Sequence, residues 1–186
     1  METRAPAQQI PIDEYLQDEL VSEVRHEYLG GRVHAIVGAS DRHNLISVNL
    51  ATALRPHVRG TACQLFMADM KVRLNVAGQD AFYYPDLLLC CDPADRAPYY
   101  RSHPCLIVEV LSEATARIDH REKLLAYTSI PSLRQYLLLS QDKMEAEIHL
   151  REDNWHRQIV SEGTVALQCL DIAVPLAVIY EDVPPL

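Results

Sequence analysis

The 186-residue chain lacks long hydrophobic runs, phosphate-binding glycine motifs and a hydrolase nucleophile motif. No apolar segment approaches the roughly 18 residues of a membrane-spanning helix, so we expect no membrane span. Residues 1–9 are polar, which predicts no signal peptide and favours a cytoplasmic protein. The six glycines form neither a P-loop nor a dinucleotide-binding fingerprint. The absence of Gly-x-Ser-x-Gly excludes the nucleophile elbow of α/β-hydrolases.

The sequence also lacks cysteines and histidines at the spacings that are typical of zinc sites. The eight histidines are scattered, and no Cys-x-x-Cys pair occurs, which argues against a structural zinc site. The cysteine count is odd, and three cysteines lie in apolar stretches, so we predict that they are reduced and buried. The five are Cys63, Cys90, Cys91, Cys105 and Cys169.

Positive charge is scarce. Seventeen basic residues stand against 26 acidic ones, and the formal net charge is −9. Such a chain repels nucleic acid on average, so a nucleic-acid function requires a local basic surface or a bound metal ion. The simplest consequence of the acidity is solubility.

The apolar spacing predicts an α/β fold, a mixed sheet flanked by helices. The length favours a single domain, residues 1–186. The strands at 105–111 and 134–139 flank a helix, so we expect them to be parallel with a right-handed crossover. The predicted elements are helix 12–29, ended by Gly30-Gly31, strand 32–37, helix 43–57, capped by Ser40, strand region 64–76, return strand 82–91, strand 105–111, helix 116–128, strand 134–139 and a hairpin at 146–160.

Two carboxylates do not fit a simple apolar core. Glu109 lies in an otherwise apolar strand, and Asp86 opens the preceding one. A buried carboxylate is costly unless a cation or hydrogen bonds compensate it. Two carboxylates on neighbouring strands suit Mg²⁺, which takes carboxylate, water and phosphate oxygens. The alternatives are a buried ion pair for either residue, or a turn cap at Asp86.

Four other polar residues are candidates for the same site. Lys123 lies beside the rim of the buried face of its helix, where it can hold water or screen phosphate charge. Glu27 ends the first predicted helix. Arg42 and His43 begin the second, where they can face a phosphate. For each, an ordinary solvated side chain is the alternative.

These residues occur in stretches that together resemble the Uma-type restriction endonuclease family, within the PD-(D/E)xK nuclease superfamily. The resemblance spans about residues 12–180, in the family's order. The matching stretches are His26-Glu-Tyr-Leu-Gly-Gly-Arg-Val33, Gly38-Ala-Ser-Asp-Arg-His43, Tyr84-Pro-Asp86, Ile107-Val-Glu-Val-Leu-Ser112, Asp119-His-Arg-Glu-Lys123 and Pro131-Ser-Leu-Arg-Gln-Tyr136.

The resemblance implies a restriction-endonuclease-like core with a phosphodiesterase site that uses Mg²⁺, or alternatively Mn²⁺. By position, Asp86 and Glu109 would bind the metal, and the carbonyl of Val110 would be a further ligand. Glu27 would be the acidic residue contributed by the first helix.

The same resemblance implies a lysine near the metal, DNA as the substrate and a homodimer. The superfamily's lysine normally lies two residues after the glutamate, where this chain has Leu111. The resemblance implies that in this family the lysine lies on the following helix, at the place that Lys123 matches. Such a move keeps the cation at the site only if the helix folds back over the strand.

Three hypotheses follow. The first is a metal-dependent DNA endonuclease that uses Asp86, Glu109 and Lys123. The second is a non-catalytic binding module of the same fold, with Tyr99-Tyr100 and the hairpin at 146–160 as surfaces. The third is a hydrolase of nucleotides or other small phosphodiesters, which tolerates an acidic surface better.

Overall fold

The computed structural model describes residues 9–36, 38–111 and 119–184, with four α-helices, thirteen strands and two short helical turns of other types. In chain order the elements are α1 (Ile12–Asp18), β1 (His26–Leu29), β2 (Arg32–Ala35), α2 (Asp41–Val58), β3 (Gln64–Met67), β4 (Lys71–Val76), β5 (Gln79–Tyr83), β6 (Leu87–Cys90), β7 (Tyr100–Arg101), β8 (Pro104–Leu111), a π-helical turn (Asp119–Lys123), α3 (Leu124–Thr128), β9 (Gln135–Ser140), β10 (Ala146–Leu150), a 3₁₀ turn (Arg151–Asp153), β11 (Arg157–Val160), β12 (Thr164–Leu167), β13 (Ile172–Pro175) and α4 (Leu176–Ile179).

The described strands form three sheets, which confirms a mixed α/β fold but corrects the prediction of one sheet. Their orders are β2-β1-β5-β4-β7, β11-β10-β9-β8-β6-β3 and β12-β13. The predicted return strand 82–91 is interrupted at Pro85-Asp86, so that β5 and β6 belong to different sheets. Proline has no N–H to donate to a strand ladder, which is the physical reason for the interruption.

The predicted first helix is wrong in its second half. Helix α1 ends at Asp18, and His26–Leu29 is strand β1, which pairs with both β2 and β5. Gly30 and Gly31 do not end a helix. They form the tight turn between β1 and β2, with φ of +54° and +89°. Two positive φ values in succession favour glycine, because it has no Cβ to clash.

Helix α2 confirms the prediction for the second helix. The Ser40 side chain accepts a hydrogen bond from the His43 backbone N–H, which caps the helix N-terminus. The hairpin of β10 and β11 and the parallel pair of β8 and β9 are also confirmed. Of the helix predicted at 116–128, residues 116–118 lie outside the described part.

Strand β8 is buried on both faces, and its alternation positions the site. Leu106, Val108 and Val110 pack into a core shared with α2. Ile107 packs on the opposite side, in a core shared with α3. Successive side chains of a strand point to opposite faces, so Glu109 faces α3 together with Ile107.

The predicted state of the cysteines is wrong for two of them. Cys63 and Cys91 are joined by a disulfide, whereas Cys90, Cys105 and Cys169 are free thiols. Cys63 directly precedes β3, and Cys91 directly follows β6. The ladder between these strands pairs Gln64 with Cys90, which brings the two cysteines opposite each other. The spacing of the cysteines in the sequence does not indicate this disulfide, because it depends on the register between β3 and β6.

Within residues 9–36, 38–111 and 119–184, no helix combines the length and the apolar character required to cross a membrane.

Candidate active site

Asp86 and Glu109 lie side by side, as predicted. The antiparallel ladder of β6 and β8 pairs Leu87 with Val108, which brings the residue before β6 opposite Glu109. The backbone N–H of Val110 donates a hydrogen bond of 2.6 Å to Asp86 Oδ2. The carboxylate of Asp86 is therefore held against β8 by the residue that follows Glu109.

Glu109 is buried and hydrogen-bonded rather than left in an apolar environment. The residue is 4% exposed. Its Oε1 accepts hydrogen bonds from Lys123 Nζ at 3.1 Å and from Tyr127 Oη at 2.9 Å. Both donors come from the segment that follows β8 and packs on the same face. Charge-assisted hydrogen bonds of this kind compensate the desolvation of a carboxylate.

Lys123 lies between two carboxylates. Its Nζ is 3.1 Å from Glu109 Oε1 and 3.2 Å from Glu27 Oε1. Lys123 is the last residue of the π-helical turn that leads into α3. The segment thus folds back over β8, which is the condition under which a lysine so distant in sequence stays at the site. π-Helical turns are rare and are found frequently at functional sites.

Glu27 reaches the site from a different element than predicted. It lies on β1, which pairs with β2 and β5, and not on a helix. The Tyr84 backbone N–H is 3.5 Å from Glu27 Oε1, the atom that also contacts Lys123. Glu27 therefore connects the five-stranded sheet to the lysine.

His43 and Arg42 are adjacent in sequence but make different contacts. His43 Nε2 lies 3.0 Å from Asp86 Oδ2, so the first turn of α2 contributes an imidazole to the site. The Arg42 guanidinium donates to the backbone carbonyls of Gln141, at 2.8 Å from Nε, and of Pro184. These contacts favour an anchoring role for Arg42. Its role in binding substrate stays a prediction.

Tyr127 is a site residue that sequence reasoning did not identify. It is four residues after Lys123, so both side chains lie on the same face of the helical segment. That spacing was the available signal, but a buried tyrosine on an apolar face is normally read as core. Burial, followed by the nearby charge of Glu109, raises the pKa of Tyr127 well above its usual value. The hydroxyl therefore stays protonated and serves as a donor to the carboxylate.

Replacing Tyr127 by phenylalanine is expected to lower the free energy of unfolding by about 2 kcal/mol, because a buried charged acceptor loses a donor. Because burial raises the pKa of Tyr127, the unfolded chain ionises at that residue above about pH 10 while the folded chain does not. This part of the stability is therefore present below about pH 10 and falls as the pH rises further. Urea unfolding at neutral and alkaline pH measures both effects.

Tyr99→Phe is the matched control, because Tyr99 is 46% exposed. Its unfolding free energy should stay within about 0.5 kcal/mol of wild type. Equal losses in the two variants would contradict the role assigned to the Tyr127 hydroxyl.

The donor atoms at this site are chemically suited to a hard divalent cation. The carboxylates of Asp86 and Glu109 are oxygen ligands of the kind that Mg²⁺ and Mn²⁺ accept, whereas zinc sites favour sulfur and nitrogen. In the described part of the chain, no three or more His, Cys, Asp and Glu side chains are arranged as a ready metal-binding group. A cation would thus be held by the two carboxylates with backbone and water oxygens.

Comparisons with known proteins agree on the family. The model of the Uma2 family, described as "Putative restriction endonuclease", matches residues 12–177. "Uncharacterized protein slr1290" from Synechocystis sp. (strain ATCC 27184 / PCC 6803 / Kazusa) is 32% identical over 180 residues, covering 95% of this chain and 94% of its own. "Uncharacterized protein sll1609" from the same strain is 34% identical over 131 residues, covering 69% and 73%.

A solved structure has the same fold. It is the crystal structure of "a putative nuclease belonging to DUF820" from Anabaena variabilis ATCC 29413. The TM-score is 0.72 at 12% sequence identity, and the match covers 92% of this chain and 97% of the other. The extent of the sequence match and the shared architecture lead to one assignment: this chain belongs to the Uma2 family of restriction-endonuclease-like proteins.

Proposed function

We propose that this protein is a metal-dependent endonuclease that hydrolyses DNA phosphodiester bonds. Asp86, Glu109 and Lys123 come from three separate parts of the chain and converge at β8, and this convergence is the main support for the proposal. Family membership and a nuclease-like fold support the same chemistry.

Asp86 and Glu109 would hold a Mg²⁺ or Mn²⁺ ion, with the carbonyl of Val110 as a further ligand. The ion would activate a water molecule and offset negative charge on the phosphate. Asp86 is suited to this role because its side chain is 20% exposed, whereas that of Glu109 is 5% exposed. One carboxylate thus faces the solvent side, and the other anchors the site from the interior.

Lys123 would orient the attacking water and stabilise the charge that develops on the phosphate oxygens. An ammonium held by two carboxylates does not have to reorganise when that charge develops, which is what makes such stabilisation effective. Glu27 positions this ammonium through its 3.2 Å contact. A direct role for Glu27 as a metal ligand stays a prediction.

DNA is the proposed substrate despite the net charge of −9. A divalent ion and Lys123 would offset the charge of Asp86, Glu109 and Glu27, so the site itself would not repel the scissile phosphate. The homodimer also stays a prediction. It rests on the argument that cleaving two strands needs two sites.

Manganese calorimetry tests the metal site against a non-catalytic binding module. Wild type should bind Mn²⁺ with heat that saturates, and Asp86→Asn should lose that binding. Asparagine keeps an oxygen to accept the Val110 N–H bond, so the variant should remain folded. Asp142→Asn, at an exposed aspartate, is the matched control and should bind as wild type does. Equal binding by wild type and Asp86→Asn would overturn the assignment.

A further inference from the structure

Four of the five cysteines lie close together at one end of the strands of the six-stranded sheet. Cys63 precedes β3, Cys91 follows β6 and Cys105 lies in β8, and these three strands are neighbours in the sheet. Cys169 follows β12. The cluster adjoins the end of β6 opposite Asp86, so it is separate from the proposed active site.

The sulfur atoms of Cys63, Cys91 and Cys105 form a continuous series, and Cys169 lies beside it. Cys63 Sγ is bonded to Cys91 Sγ. Cys91 Sγ lies 3.7 Å from Cys105 Sγ. Cys169 packs against the hydrophobic core that includes Cys105. Cys90, the fifth cysteine, is directed elsewhere, with its Sγ 3.5 Å from Asp95 Oδ2.

The thiol next to the disulfide has the properties of a nucleophile. Interaction with the Cys169 side chain lowers the pKa of Cys105, which raises the fraction of thiolate at neutral pH. A thiolate attacks a disulfide sulfur, and the contact between Cys105 and Cys91 brings these atoms together. Cys63, Cys91 and Cys169 are half-buried rather than sealed in the core, so solution thiols can reach the cluster.

We propose that Cys63, Cys91, Cys105 and Cys169 form a thiol–disulfide exchange site whose external substrate is a low-molecular-weight thiol. In the first step the Cys105 thiolate attacks Cys91 Sγ. The Cys91–Cys105 bond forms, the Cys63–Cys91 bond breaks, and Cys63 leaves as a thiolate. Cys105 gives its proton to solvent, and Cys63 takes one up, so the step involves no net oxidation.

A second exchange extends the series. Once Cys105 is in a disulfide, it no longer raises the pKa of Cys169. The Cys169 thiol gives its proton to solvent, and its thiolate attacks Cys105 Sγ. The Cys105–Cys169 bond forms, and Cys91 leaves as a thiolate and takes up a proton. Net reduction needs an external donor. Two molecules of a monothiol such as glutathione give up their protons and two electrons, forming one glutathione disulfide and two protein thiols. The site thus exchanges with a thiol pool at its half-buried sulfurs and transfers the disulfide from Cys63–Cys91 to Cys105–Cys169.

Disulfide mapping of the full-length Cys63→Ser variant tests the proposal. The protein is equilibrated with reduced and oxidised glutathione, quenched with acid, alkylated and analysed by mass spectrometry. Without Cys63, the Cys91–Cys105 disulfide should become the principal intramolecular disulfide involving Cys91. Cys90→Ser is the matched control and should keep the Cys63–Cys91 disulfide. Alkylation of both Cys91 and Cys105 in the folded Cys63→Ser variant, or glutathione retained on Cys91, would overturn the proposal.

Wild type supplies a second measurement that does not depend on the folding of a variant. Samples are quenched at intervals while reduced glutathione reduces the native protein. A rearranged disulfide, either Cys91–Cys105 or Cys105–Cys169, should accumulate before full reduction. Direct conversion of the Cys63–Cys91 disulfide to free thiols, with no rearranged species, would overturn the proposal. A stoichiometric bound metal that blocks alkylation of all four cysteines would overturn it as well.

Discussion

Replacing Glu109 by glutamine is expected to abolish metal-dependent DNA cleavage while leaving the fold intact. The amide oxygen of glutamine still accepts the hydrogen bonds that Lys123 and Tyr127 donate to Oε1. The variant loses the negative charge that a hard cation requires. We expect the cleavage rate to fall by more than about 100-fold, since removing a group that only supports a metal ligand already costs about 10- to 100-fold. Cleavage of supercoiled plasmid followed over time measures the loss.

Glu162→Gln is the control for Glu109→Gln, because it makes the same chemical change at an exposed position. It should cleave as wild type does. Circular dichroism and urea unfolding of both variants separate a catalytic loss from a folding loss. Cleavage by folded Glu109→Gln at the wild-type rate would remove this residue from the proposed mechanism.

Replacing Lys123 by methionine is expected to give the largest loss of stability of any substitution considered. The side chain is 9% exposed and lies within 3.2 Å of carboxylate oxygens of both Glu27 and Glu109. Removing one partner from a buried ion pair leaves uncompensated charge and costs about 3 kcal/mol or more. Cleavage should be lost as well, because the ammonium is the group proposed to stabilise the phosphate charge. Urea unfolding in EDTA measures the loss in the free energy of unfolding.

Repeating the unfolding of Lys123→Met with added Mg²⁺ tests whether Asp86 and Glu109 form a metal site. A cation held by Asp86 and Glu109 replaces part of the missing positive charge, and binding to the folded state alone stabilises it by about 2.7 kcal/mol at 100 times the dissociation constant. The variant should therefore gain stability on addition of Mg²⁺. Lys143→Met is the control, since Lys143 is 64% exposed and its ion pair is a surface one. A stability loss in Lys143→Met equal to that in Lys123→Met would contradict this account.

Strand β8, which carries Glu109, was predictable because the residues on either side of Glu109 in the sequence are apolar and buried. Its continuous apolar run, broken only by the glutamate, indicates a strand covered on both faces. The same logic predicted Asp86 at the start of the adjoining strand. Asp86 directly precedes β6, and the pairing of Leu87 with Val108 brings it opposite Glu109. A carboxylate within an apolar run is a local feature, so it can be recognised in the sequence of a single protein.

The position of Glu27 was not predictable in the same way. Apolar residues at helical spacing continue through 12–28, but α1 ends at Asp18. Tyr28 is buried by pairing with Phe82 of β5 and by stacking on Tyr15, at 4.9 Å between ring centroids. These are long-range contacts, and tertiary packing of this kind overrides the helical pattern. Only the fold reveals that Glu27 approaches Lys123 from a strand.

The Cys63–Cys91 disulfide and the division of the strands into separate sheets were missed for a related reason. Both depend on which strands pair and in what register. Periodicity gives the type of an element but not its partner, and cysteine count alone does not give connectivity.

Nicking of supercoiled plasmid by the wild-type protein tests the central claim most directly. The reaction is run with Mg²⁺, with Mn²⁺ and with EDTA, and Asp86→Asn and Asp142→Asn are run beside it. We expect nicked and linear products in the presence of either metal, none in EDTA, none with Asp86→Asn and wild-type products with Asp142→Asn. Cleavage that persists in EDTA, or a folded wild-type protein that binds Mn²⁺ and leaves the plasmid intact, would contradict the central claim.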